Sequence, residues 1–137
     1  MARAVAFDWG GKRTGIAYTD ELKMIASPLD TVDTKTVHTF IKKLTEQWEI
    51  DTFVVGVPNS LFSKQTDSSA GIQTFIKELN RNYPNIQITK VDESFSSREA
   101  MQAMVQGGMK KSKRREKGKL DAVSATIILQ RFLESRV

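Results

Sequence analysis

The sequence predicts one α/β domain over residues 1–137, with a five-stranded mixed sheet and helices on both faces. Three observations carry this. The first thirty-odd residues hold three β-rich runs separated by turns, the apolar period then switches to a helical one, and each later strand-like run follows a helix-like one. Strands 1 to 3 therefore form an antiparallel meander. Strands 4 and 5 are reached by right-handed crossovers and lie parallel.

Each element follows from its residues. Arg3 to Phe7 and Thr14 to Thr19 are apolar and β-branched, joined by the turn Trp9-Gly10-Gly11-Lys12-Arg13, and Leu22 to Val32 supplies a third run interrupted around Pro28. From Thr34 onward Val37, Ile41, Leu44 and Trp48 stand at helical spacing, with Asp33 or Thr34 as N-cap. Asp51 to Val57 is almost wholly apolar, as a strand covered on both faces should be, and stops at Pro58. A polar loop, Asn59 to Ser69, leads to a helix burying Ile72, Phe75, Ile76 and Leu79, which Pro84 closes. Ile86 to Val91 alternates and ends on Asp92-Glu93. Ser96 or Ser97 caps a further helix through Val105, which Gly107-Gly108 ends. Leu120 to Leu133 forms the last helix, with Asp121, Ser124, Ala125 and Ile128 on one face. No internal repeat or linker interrupts the order.

Composition narrows the chemistry. The chain has no cysteine and one histidine, His38, so thiolate zinc sites, disulfides and histidine-rich metal centres are excluded. No apolar run approaches the roughly 18 residues of a membrane span, and the start reads as a strand without a leader, so the expected location is the cytoplasm with no membrane partner. The net charge of +5 is concentrated in one stretch. Lys110, Lys111, Lys113, Arg114, Arg115, Lys117 and Lys119 stand against the single acid Glu116, and the rest of the chain is close to neutral. Such a run attracts a polyanion without reading its sequence, although a solvated charge run has the same composition.

Three acidic positions fall at element ends: Asp8 after the first strand, Asp92-Glu93 after the last, and Asp121 in the first turn of the last helix. A carboxylate ending a buried strand costs several kcal/mol unless something compensates it. In an open sheet ligands bind at the carboxyl ends of parallel strands, so these acids fall at one edge if the first strand is central. Clustered carboxylates repel unless a hard cation lies between them, and Mg²⁺ or Mn²⁺, as one ion or two, fits oxygen donors and phosphodiester hydrolysis. Each acid alone has a structural alternative: Asp121 as a dipole-favoured first-turn acid, Asp92 or Glu93 as a cap, Asp8 as a partner of its own turn.

The segments AFDWGGKRTGIAYTD, VVGVP, VDESFSS and KGKLDAVSATIILQRFLE, in that order and spanning nearly the whole chain, resemble the YqgF/RuvX family. The resemblance implies an RNase H-like fold and a nuclease that processes the 5′ end of pre-16S rRNA in ribosome biogenesis. Under the family's other name it implies a Holliday junction resolvase. By the same resemblance Asp8, Glu93 and Asp121 are the catalytic metal ligands, and Asp92 ranks behind them. Lys12, Arg13, Arg98 and the basic run from Lys110 to Lys119 are then the nucleic-acid contacts, with Thr14 and Ser124 orienting the ligands. The chain departs from the family pattern in Asn59 to Gln65, which lacks the usual glycine turn, and in Ser94-Phe95, where members often carry arginine.

Other functions share parts of this pattern. Asp-x-Gly-Gly-Lys-x-Thr-Gly is similar to the first phosphate loop of the sugar kinase, actin and Hsp70 superfamily, but those proteins close two domains around ATP. A non-catalytic RNA-binding assembly factor would use the basic run and leave the acids structural. The substrate is structured RNA or branched DNA. A junction resolvase needs two sites in a symmetric dimer, and the sequence leaves monomer or homodimer open.

Overall fold

The computed structural model describes residues 2–58, 70–92 and 117–135, apart from the side chains of 117–120. Its elements in chain order are β1 (Arg3–Asp8), β2 (Arg13–Thr19), β3 (Ala26–Asp33), α1 (Val37–Gln47), β4 (Ile50–Val57), α2 (Ala70–Asn82), β5 (Gln87–Asp92) and α3 (Lys117–Ser135). A single 3₁₀ turn, Thr34–Thr36, leads into α1. The helix expected over Ser96 to Val105 and the loop Asn59 to Ser69 lie outside the described residues.

The strand order is β3-β2-β1-β4-β5, antiparallel on the β3-β2-β1 side and parallel from β1 through β5. β1 is therefore central, and Asp8, Val57 and Asp92 end on the same edge. Alternation along β1 divides its side chains between two cores. Val5 and Phe7 pack with Ile41, Phe53, Val55, Phe75 and Leu79 against α1 and α2. Ala4 and Ala6 pack with Ala17, Val54, Ala125, Ile128 and Leu129 under α3. Small residues on that second face let α3 lie close to the sheet. On the first face the Phe7 ring meets Phe53 and Phe75 edge-on, at centroid distances of 5.5 and 5.4 Å, each contact contributing about 1 kcal/mol beyond burial.

Three sequence expectations are corrected by tertiary contacts. Pro28 does not break the third strand, because β3 is an edge strand. The register with β2 also shifts there, from Ile16 opposite Asp30 to Ala17 opposite Pro28, and edges and bulges tolerate a missing N–H. Neither Asp33 nor Thr36 caps a helix through its side chain. Thr34 Oγ1 instead donates to the Gly10 carbonyl at 2.5 Å and lies 2.9 Å from Thr14 Oγ1. With its only hydrogen used on Gly10, Thr34 must accept from Thr14. Thr14 thus ties the β1–β2 turn to the start of α1, and it does not orient ligands on the face of Asp8.

The turn between β2 and β3 is held by Asp20, whose Oδ1 accepts N–H bonds from Met24 and Ile25, both 2.8 Å. These bonds, Ile25 first, hold its carboxyl below the ordinary value of 3.8. A lowered folded-state pKa contributes stability above the unfolded value of about 3.9, lost as pH falls through the folded one. The urea midpoint of Asp20→Asn is therefore expected below the parent's at pH 7, with the gap closing below about pH 4. A gap unchanged at pH 2 contradicts the charge-dependent account.

Candidate active site

Asp8 is the last residue of β1 and shares a face with Ala4 and Ala6 by alternation, so it lies on the α3 side of the sheet. Its antiparallel partner across the ladder is Gly15. A Cβ placed on Gly15 would stand 2.0 Å from the carbonyl oxygen of Asp121 and 2.9 Å from the nitrogen of Ala122. The backbone of α3 therefore rests directly on Gly15. One strand position without a side chain brings Asp8 and Asp121 to the same place from 113 residues apart in sequence.

Asp121 is the fifth residue of α3, one turn inside the helix, because the helix starts at Lys117. This corrects the first-turn placement and removes the helix dipole as its explanation, since that effect fades beyond the first turn. Lys117 and Lys119 accordingly belong to the helix rather than to a loop before it. Arg13, two residues from Gly15 on the same strand face, places its Nε 3.3 Å from Asp121 Oδ2. Both side chains are partly exposed, so Arg13→Ala is expected to change stability by less than about 1 kcal/mol. The same change should lower the salt slope of RNA binding by about one. An unchanged slope at equal stability removes Arg13 from the interface.

The remaining sequence-predicted positions fall in four places. Lys12 is exposed in the β1–β2 turn, where its carbonyl accepts the Thr34 N–H at 2.9 Å. Ser124 is buried one helical turn after Asp121, beside Ala125. Asp92 ends β5, two strands from β1, about 10 Å at the usual strand spacing. Alternation from Val91, which packs under α3, puts Asp92 on the opposite face, and its carbonyl accepts from Arg131 Nη1 at 2.8 Å. The structure thus brings together Asp8, Asp121 and Arg13, and it does not bring Asp92 to them. Glu93, Arg98, Lys110, Lys111, Lys113, Arg114 and Arg115 lie outside the described residues, as do the side chains of Lys117 and Lys119.

The two glycines of the β1–β2 turn have different surroundings. A Cβ on Gly10 would meet the Arg13 carbonyl oxygen at 2.6 Å, so Gly10 closes the turn on itself, whereas Gly11 faces open space. Gly15 is the residue that the sequence reading missed. Its signal was present, because a lone glycine inside a β-rich run marks close backbone approach.

A family model described as "RuvX: Holliday junction resolvase" matches residues 2–135. The chain belongs to the RuvX family. Two curated relatives, each named "Putative pre-16S rRNA nuclease", come from Christiangramia forsetii and Amoebophilus asiaticus. The first is 45% identical over 97% of this chain and 98% of its own length. The second is 44% identical over 98% and 96%. Among solved structures, the chain is similar in fold to Thermus thermophilus RuvC in complex with a Holliday junction substrate, at TM-score 0.60 and 15% identity, covering 99% of this chain and 96% of that one. It is also similar to the Fowlpox virus resolvase bound to junction DNA, at TM-score 0.63 and 16% identity, covering 98% and 99%. The RuvX chain is thus a hydrolytic nuclease with the resolvase-type sheet, and nucleic acid is its partner. No described helix is long and apolar enough to cross a membrane.

The donor chemistry of this RuvX site suits a hard divalent cation. Asp8 and Asp121 offer carboxylate oxygens on one face, and nitrogen or sulfur ligands are absent from the set. Among the described residues no three His, Cys, Asp or Glu side chains form a metal-holding group.

Proposed function

We propose that this chain is a metal-dependent nuclease that processes the 5′ end of pre-16S rRNA in the cytoplasm, acting as a single domain over residues 1–137. The observation that carries the reading is the meeting of Asp8 and Asp121 over Gly15 on one face of the sheet edge. Asp8, Asp121 and Glu93 would hold one or two Mg²⁺ or Mn²⁺ ions. Bound there, such an ion lowers the pKa of a water for attack on phosphorus and stabilises the leaving oxygen. The protein supplies orientation. β1 fixes Asp8 through the central sheet, α3 fixes Asp121 through buried Ala125, Ile128 and Leu129, and the Arg13 contact with Asp121 restrains that carboxylate from the solvent side.

Arg13 and Lys12 project from the same edge and would grip phosphates flanking the scissile one, and Arg98 and the basic run from Lys110 to Lys119 extend that grip. Pre-rRNA is favoured as substrate by the names of full-length relatives more than 40% identical to this chain. Cleavage of a labelled precursor rRNA fragment and of a four-way DNA junction, each with Mg²⁺, Mn²⁺ or chelator, decides the substrate. The RNA is expected to be cut with metal, to survive with chelator, and to leave the junction intact. Resolution of the junction with the RNA untouched would replace this reading by a DNA one.

A further inference from the structure

A second feature sits at the same sheet edge but on the opposite face. Trp9 follows Asp8, and it packs with the core beneath α1 and α2. Its indole reaches the start of α2, where a Cβ on Gly71 would stand 2.2 Å from Cη2 at the outer edge of the ring. Beside it opens a cleft of about 280 Å³ lined by Trp9, Thr34, His38, Thr74, Phe75 and Glu78 among others. That is close to the lower bound of small-molecule sites, roughly 300 Å³, enough for one flat ring system and too little for a base pair.

The oxygens of Thr34, Thr74 and Glu78 in this lining act as acceptors, because the two hydroxyl hydrogens are already committed. Thr34 donates to the Gly10 carbonyl and Thr74 to the Ala70 carbonyl. Glu78 is a carboxylate, with Oε2 taken by His38 Nε2 at 2.5 Å and its other lone pairs left to accept. His38 Nδ1, in the same wall, is buried without a hydrogen-bond partner. A phosphate is excluded by the Glu78 charge. An apolar segment would strand these acceptors. A neutral aromatic ring that carries donors satisfies both the Trp9 face and the Glu78 oxygens.

We infer that the Trp9–Glu78 cleft is a base-recognition subsite that takes one unstacked guanine of the substrate strand. The inference rests on the nuclease reading only for the strand that delivers the base, since Trp9 adjoins Asp8 in the chain. Single-stranded nucleic acid is read by stacking a splayed base on an aromatic ring and bonding its Watson–Crick edge. Guanine is the base whose edge presents two adjacent donors, N1–H and N2–H₂, to one carboxylate.

The chain has two tryptophans, so Trp48→Phe leaves Trp9 as the sole indole reporter, and calorimetry on the parent gives the same constants without a variant. GMP is expected to bind saturably at the cleft, with AMP, CMP and UMP weaker by about tenfold or more. Glu78→Gln should abolish that preference, and Gly71→Ala, by pushing the indole out of place, should weaken all binding there. Asp8→Asn should bind GMP as the parent does. Four equal affinities, no GMP binding, or a preference retained in Glu78→Gln would overturn the subsite. Loss of GMP binding alongside normal RNA cleavage removes this inference and leaves the nuclease reading standing. GMP selectivity without any cleavage does the reverse.

Discussion

Asp8→Asn is expected to lower the single-turnover cleavage rate by more than ~100-fold while leaving RNA affinity and thermal stability near the parent's. The magnitude follows from the position of the residue. Changes to groups that merely orient a metal ligand cost about 10–100-fold, and a ligand contributes more than its supports. Asparagine keeps the shape and one carbonyl oxygen but removes the charge that holds a hard cation. It stands at a strand end where the backbone pairing with Gly15 and Val5 through Phe7 in the core are unchanged. Cleavage by the variant within twofold of the parent would make the acid structural and return the chain to a non-catalytic binding role.

Gly15→Ala is expected to destabilise the fold by about 3 kcal/mol or more, at the upper end of overpacking changes, with a fall in melting temperature on the order of 10 °C. The added methyl would meet main-chain atoms of Asp121 and Ala122 at 2.0 to 2.9 Å. A helix backbone cannot rotate away as a side chain does. α3 must lift from β2, which exposes the face formed by Ala17, Ala125 and Ile128 and moves Asp121 from Asp8 at the same time. Gly11→Ala is the matched control, since a methyl there meets nothing within 4 Å, and its effect should stay within about 0.5 kcal/mol. Equal stability of the two variants would show that α3 does not rest on Gly15 as described.

Much of the fold was legible because it depends on local periodicity. β1 and β4 read as apolar runs since both are covered on two faces. α1 and α2 read as helices since Ile41, Leu44, Ile72, Phe75 and Leu79 keep a helical spacing toward one core. What was not legible depends on contacts between distant segments. Thr34 has the composition of an N-cap, but its hydroxyl is recruited by Gly10 and Thr14, so the local preference lost to a tertiary bond. The start of α3 was placed late because Lys117 to Lys119 read as part of a charge run, although a helix carries such residues well on an exposed face. The His38–Glu78 pair across α1 and α2 and the Trp9 ring on Gly71 carry no spacing signal at all.

The candidate site divides in the same way. Asp8 and Asp121 were marked by isolated acids at element ends, but their meeting depends on α3 resting on Gly15, which the strand order alone does not give. The opposite orientation of Asp92 follows from pleat alternation in β5, which no count of acids reveals. Gly15 carried the signal of a lone glycine in a β-rich run, but such a glycine reads equally as a weak strand former.

The central claim is that Asp8 and Asp121 serve one site, and a double-mutant cycle tests it most directly. Single-turnover cleavage of the same labelled RNA in Mg²⁺ would be compared for the parent, Asp8→Glu, Asp121→Glu and the double variant. Residues that act as a unit are non-additive, so the double variant should lose little more than the worse single one. Losses that multiply across the two positions would place the two carboxylates in separate roles and contradict the account.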